Sequence, residues 1–265
     1  MVNERWTKRT SFSRRARWLG AAALAGALGL CGALPGTGPA RARAAATQPA
    51  ATTRPAARIT AQDLAQLDND AWKVREAATQ RLLALDLTPQ AVAAAYARAR
   101  SPEQRQRLEL IAEHQFLRTY IAAHFSSDTS AALGVRQQMV LPNEDNGLKH
   151  PAVRVEATLP GFPATGRLQT GDLILALDGK PFPDAGQDPA TVLRQQVLGL
   201  RPGDLLHLTV QRDGRTLQVA VPLAPASALG ALLDPVSGEL LPDIAQRWRD
   251  FRQAMERSAP PARRP

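Results

Sequence analysis

Apolar positions change their period partway along the chain. From Thr60 to about Phe125 they recur at helical spacing, with Val74, Ala77, Ala78, Leu82 and Leu83 on one stripe and Leu108, Ile111, Ala112, Phe116 and Tyr120 on another. The starts are well marked. Thr60-Ala61-Gln62-Asp63 has the form of a capping box, and Asn69 or Asp70 can cap a second helix over Ala71 to Leu85. Thr88-Pro89 opens a third helix, with proline at the first helical position where no donor is needed. Ser101-Pro102-Glu103-Gln104 opens a fourth, running to about Phe125.

Beyond Leu133 the period falls to two. Val135 to Leu141, Val153 to Thr158, Leu173 to Leu177, Leu205 to Gln211 and Thr216 to Leu223 alternate and are rich in β-branched residues, so they are predicted strands. One helix, roughly Pro189 to Leu198, interrupts them, and a Gly- and Pro-punctuated connection follows Ser227. A last amphipathic helix, Pro242 to Arg257, carries Ile244, Trp248, Phe251 and Met255 on one face. That stripe is expected to pack on the protein's own body, the alternative being a partner-binding helix. The fold class is therefore α+β: a small helical bundle over 59–126, a strand-rich domain over 130–225 and a C-terminal helix over 240–257. The closing residues 258–265 read as a disordered tail.

Composition alters this picture mainly at the N-terminus. The formal charge of +9 would suggest an anionic partner. Residues 1–44 nevertheless hold eight basic groups against one acid, Glu4, which leaves the remainder with 25 basic and 23 acidic residues. A nearly neutral body gives no footprint for nucleic acid. The first 44 residues read as an export signal: a basic stretch ending at Arg17, an Ala/Gly/Leu run from Trp18 to Leu34, then small-residue cleavage sites at Ala42-Arg43-Ala44 or Ala44-Ala45-Ala46. Retained, the run would be a membrane anchor; Ser13-Arg14-Arg15 leaves open whether export is of the twin-arginine kind. Leu28-Gly29-Leu30-Cys31 resembles a lipoprotein box, except that Leu30 is large for the position before the cysteine. Residues 45–58, made of Ala, Thr, Pro and Gln with scattered Arg, read as a disordered linker. Cys31 is the single cysteine, so removal of the leader would leave no disulfide, thiol nucleophile or thiolate metal site. The expected location is the periplasm or cell envelope.

Motifs for catalysis are scarce. His114, His124, His150 and His207 stand outside any metalloprotease helix motif, and a solvated or capping role is expected for His114 and His124. No Gly-x-Ser-x-Gly elbow and no Gly-rich phosphate loop is present. Asp172, Asp178 and Asp204 lie beside glycine at turns, where local hydrogen bonds account for an aspartate. The expectation is a non-enzyme with no cofactor and no metal.

Two resemblances organise these elements. Trp72-Lys73-Val74-Arg75-Glu76-Ala77-Ala78 with Leu82-Leu83-Ala84-Leu85, followed by Ser101 to Arg107, resembles a HEAT-type repeat pair. Leu133-Gly134-Val135, Leu159-Pro160-Gly161-Phe162-Pro163-Ala164, Gly171-Asp172, Asp178-Gly179-Lys180, Arg201-Pro202-Gly203-Asp204 and Arg212-Asp213-Gly214 together resemble a PDZ domain of the bacterial HtrA type. The resemblance implies a partly open antiparallel β-barrel with one main helix, which takes protein C-termini or extended peptides by β-augmentation. It places the carboxylate-binding loop at Ala132, Leu133, Gly134 and Val135, and the groove's far wall at Arg194 and Val197. Many family members have glycine where this chain has Ala132. Arg194 would favour an acidic or long side chain upstream of the ligand terminus. The polar loop from Pro142 to Gly147 could shield or extend the edge strand. Three roles follow: an exported adaptor, an accessory substrate-recruiting subunit of an envelope serine protease, or a PDZ fold used only structurally.

Overall fold

The computed structural model describes residues 57–259, except 144–146, 185, 235, 236 and 238. The expected leader, most of the linker and the end of the tail lie outside the described residues. Among the described residues four helices come first: α1 (Ala61–Leu67), α2 (Trp72–Ala84), α3 (Pro89–Tyr96) and α4 (Pro102–His124). Local chemistry explains their starts. Thr60 and Asp63 form a reciprocal capping box, as do Ser101 and Gln104, and Thr88 caps α3 ahead of Pro89.

The start of α2 differs from expectation. Ala71 is its N-cap and makes no side-chain cap bond. Asn69 instead forms a local turn, its side-chain oxygen accepting from the Ala71 N–H at 3.0 Å, while the Arg75 guanidinium donates back to the Asn69 and Asp70 carbonyls. With the chain entering at this angle, Trp72 and Val74 face solvent, and the buried stripe is Ala78, Leu82 and Leu83.

Strands follow: β1 (Ala131–Ala132), β2 (Val135–Val140), β3 (Ala152–Thr158), β4 (Leu173–Leu177) and β5 (Lys180–Pro181). Helix α5 (Pro189–Leu198) precedes β6 (Leu205–Arg212), β7 (Arg215–Pro222) and β8 (Ala224–Pro225). The main sheet has the order β2-β3-β4-β6-β7, with β5 added to β4, and every pairing is antiparallel. β1 and β8 pair separately and close the domain beside the loop that leads into β2. Sharp reversals at Asp178-Gly179 and Asp213-Gly214 have positive φ at both residues, the type I′ geometry that matches strand twist. Two further helices complete the described residues. One is α6 (Ser227–Leu232), in a segment expected to be an irregular connection; the other is α7 (Pro242–Ser258).

Three apolar clusters hold the protein together. The first joins α1–α4 to α7 through Leu67, Leu82, Leu108, Ile111, Trp248 and Met255. Phe116 packs against both Trp248 and Phe251, with ring centroids 5.7 and 5.5 Å apart. The stripe of α7 is thus spent on the protein's own body. The second cluster fills the barrel between the sheet and α5. The third lies between the two, built from Leu117 and Ile121 of α4, Ala132, Leu159 and Phe162, Ala228 and Leu232 of α6, and Ile244 of α7. Among the described residues no helix is long and apolar enough to cross a membrane.

Candidate functional site

A cavity of about 610 Å³ opens between β2 and α5. Ala132, Leu133, Gly134, Val135, Arg194 and Val197 all line it, together with Ala131, Arg136, Gln137, Glu156, Leu193, Leu198, Ala226 and Leu229. The six residues singled out from sequence therefore meet at one place.

Backbone geometry at the entry to β2 follows from a few hydrogen bonds. The Leu159 N–H donates to the Gly134 carbonyl at 2.9 Å, and Val135 stands opposite Thr158. That makes Val135–Thr158 a non-hydrogen-bonded pair, so the Val135 N–H and C=O point away from β3, toward the cavity. Among the described residues β2 has no second neighbour in the sheet, so these groups form an open edge. Among the described residues, neither the Leu133 nor the Gly134 N–H has an acceptor. Successive donors on a tight loop, followed by an unpaired strand edge, can hold a carboxylate and then an added strand.

Gly134 is in the left-handed region, with φ of 74°. Space as well as conformation excludes a side chain, because a Cβ here would overlap the Phe162 side chain. Phe162 is fully buried in the third cluster. The loop that would receive a carboxylate thus rests on a ring gripped by the helical region.

The same dependence recurs at the next loop. A Cβ on Gly161 would come within 2.7 Å of the Leu117 Cβ, and one on Gly166 within 2.6 Å of the Ala84 N, so α2 and α4 press directly on this turn. His114 joins the contact. Contrary to the expected solvated or capping role, it is 2% exposed, and its Nδ1 accepts the Gly161 N–H at 2.9 Å. Burial pushes its pKa down to about 4, helped by the nearby Arg118 charge and opposed by a hydrogen bond to the Leu83 carbonyl. The imidazole is neutral, as an acceptor at Nδ1 requires. His124 does fit the expectation: it is exposed and bonded to the Tyr120 carbonyl one turn back.

Across the cavity, α5 is started by Asp188, whose carboxylate accepts the Ala190 N–H at 3.0 Å ahead of Pro189. Leu193 and Val197 are buried on its inner face, and Arg194 is exposed at the rim. Gln137 reaches across from β2, its side-chain amide donating to the Ala190 carbonyl at 3.2 Å. This bridge crosses the cavity at the upstream end, and nothing in the local pattern of β2 signals it. The polar loop expected to shield the edge has residues 144–146 outside the described set.

The glycine-flanked aspartates hold the scaffold. Asp172, 1% exposed, accepts two hydrogen bonds of 2.7 Å from the Arg212 guanidinium and one from the Gln169 N–H. Asp204 accepts from the Arg201 N–H. Local bonding was expected at both positions; the long-range partner Arg212 was not.

The strand-rich part of the chain is similar to known proteins. A family model described as "PDZ domain" matches residues 131–223. A "Probable periplasmic serine endoprotease DegP-like" of Pseudomonas fulva (strain 12-X) is 40% identical over 87 residues, 31% of this chain and 17% of the relative. The chain therefore matches under a fifth of that relative's length. Among solved structures, the HtrA-type protease AlgW with a tripeptide is 22% identical with a TM-score of 0.31, over 46% of this chain and 38% of that one. The HtrA3 PDZ domain bound to a phage-derived ligand is 21% identical with a TM-score of 0.30, over 37% and 92%. Residues 131–223 of this chain are a PDZ domain, homologous to those of HtrA/DegP-type proteases.

Proposed function

We propose that this protein is an exported, non-enzymatic adaptor whose PDZ groove takes protein C-termini or extended peptides by β-augmentation, working in the periplasm or cell envelope without cofactor or metal. The observation that carries this reading is that Leu133 and Gly134, whose N–H groups have no acceptor among the described residues, the outward Val135 edge and the apolar Leu193 and Val197 all line one cavity. A PDZ domain homologous to that of a periplasmic endoprotease supports both the ligand class and the compartment. Arg194 and Arg136 at the rim favour an acidic residue upstream of the ligand terminus.

A peptide array carrying each sequence with a free and an amidated C-terminus tests this directly. Binding that needs the free carboxylate, with a preference for upstream acids that weakens in Arg194→Glu, supports the adaptor. Equal indifference to every peptide would leave the PDZ fold with a packing role only. Peptide hydrolysis by the purified chain would overturn the non-enzyme assignment.

The protease relative favours one second reading, an accessory subunit that recruits substrates to an envelope serine protease on another chain. Copurification of such a protease, with faster cleavage of a groove-binding substrate in its presence, would select that reading over a free-standing adaptor.

A further inference from the structure

Helix α6 lies beyond the PDZ match, which ends at residue 223, yet Ala226 and Leu229 line the same cavity as Ala132, Leu133 and Gly134. Its position is fixed from several sides. The Ala226 N–H donates to the Ser130 carbonyl at 2.9 Å, directly after the β1–β8 pairing of Ala132 with Ala224. The Ser227 N–H donates to the Asp128 carboxylate at 2.9 Å, and the Ser227 side chain, together with this N–H, holds the Asp128 pKa below its usual value. Ala228 and Leu232, one turn apart, are buried in the third cluster with Leu117 and Phe162. Ala226 and Leu229, three apart, therefore share the face that looks into the cavity. Leu229 is half-buried there.

We infer that α6, outside the matched domain, adds a second wall to the pocket for the last side chain of the bound peptide, and that Leu229 sets how large an apolar terminal residue that pocket accepts. This rests on the peptide-binding reading above. The lining supports the ligand class: Ala131, Ala132, Leu133, Val197 and Leu229 give the cavity apolar walls, and its charged residues, Arg136, Glu156 and Arg194, come from β2, β3 and the middle of α5. An apolar terminal side chain would complete the burial of Leu229, and each buried methylene strengthens binding by about fourfold. The segment after the PDZ domain is thus part of the binding site, and its sequence sets what the groove accepts.

The test uses the full chain and one peptide body ending in Ala, Val, Leu or Phe, each with a free carboxylate, read by fluorescence anisotropy. The unaltered protein is expected to bind the Leu and Phe peptides more than about tenfold tighter than the Ala peptide. Leu229→Trp, which fills the pocket, should remove that preference by weakening the Leu and Phe peptides to the level of the Ala peptide. Leu229→Ser, which opens it, should weaken the Leu and Phe peptides by about tenfold, and circular dichroism checks that both variants fold. Terminal preferences that both variants leave unchanged overturn the role of α6 while leaving the groove in place. Failure of the unaltered protein to bind any free C-terminus overturns the peptide-binding reading itself, and this inference with it.

Discussion

The two ends of the PDZ sheet are held by different kinds of contact. At the hairpin end, β6 and β7 pair in unbroken register from Leu205–Pro222 to Arg212–Arg215 and reverse through Asp213-Gly214. The Asp172–Arg212 pair ties this hairpin to the turn before β4. All of these residues belong to the domain. At the loop end, Gly134 rests on Phe162, Phe162 rests on α4 and α6, and Gly161 is pinned between Leu117 and His114. Here the domain borrows its support from the helices on either side of it in sequence. The scaffold end is self-sufficient, and the binding end is a joint construction.

Substitutions that separate the two ends sharpen the comparison. The largest effect is expected at the joint. Phe162→Ala should cost about 3–5 kcal/mol in urea denaturation and weaken peptide binding as well, because the floor of the Gly134 loop is removed. Asp172→Ala at the hairpin end leaves the Arg212 guanidinium without its buried partner and should cost about 3 kcal/mol, yet peptide affinity should hold within about twofold. Equal loss of binding in both variants would show that the ends are not independent. A gentler version of the contrast uses glycine. Gly214→Ala meets nothing within 4 Å and should cost about 1–2 kcal/mol from backbone strain alone, whereas Gly134→Ala, overlapping Phe162, should cost more.

The joint should also respond to pH. The folded pKa of His114, about 4, lies below that of an unfolded histidine near 6.5, so the unfolded state binds more protons between those values. Stability from this group is complete above pH 6.5 and falls as pH drops toward 4, by on the order of 3 kcal/mol. Glu113, whose pKa is raised chiefly by burial, works in the opposite sense at the lower end of the window. Urea denaturation at pH 7.5 and 5.0 should therefore show a loss that His114→Gln abolishes. An unchanged pH dependence in that variant would remove His114 from the account. The smallest effect is expected at the upstream bridge. Gln137→Ala should alter stability by about 1 kcal/mol or less, while easing entry of peptides longer than three or four residues, as isothermal titration of a length series would show.

The same division explains what could be read from the chain. Capping boxes at Thr60 and Ser101, alternation in the strands and the Asp-Gly turns are local signals, and the structure places those elements within a residue or two of expectation. The β2-loop and α5 positions that line the cavity could be picked out together because the PDZ resemblance orders short motifs along the chain. Helix α6 was not, since Ser227–Leu232 has little helical periodicity and is held by tertiary burial of Ala228 and Leu232. His114 was misread for a related reason. Its stripe on α4 looks solvated until a loop 47 residues away brings the Gly161 N–H to it. The Gln137 bridge to Ala190 spans 53 residues and leaves no trace in either segment.

A peptide added to β2 would set its carboxylate on the Leu133–Gly134 loop. Amide hydrogen exchange, with and without a saturating free-carboxyl peptide, tests this placement most directly. Slowed exchange is expected at Leu133, Gly134 and Val135 and along the β2 edge, and is expected to be absent with the amidated peptide. Protection confined to other surfaces, or identical protection by both peptides, would contradict it.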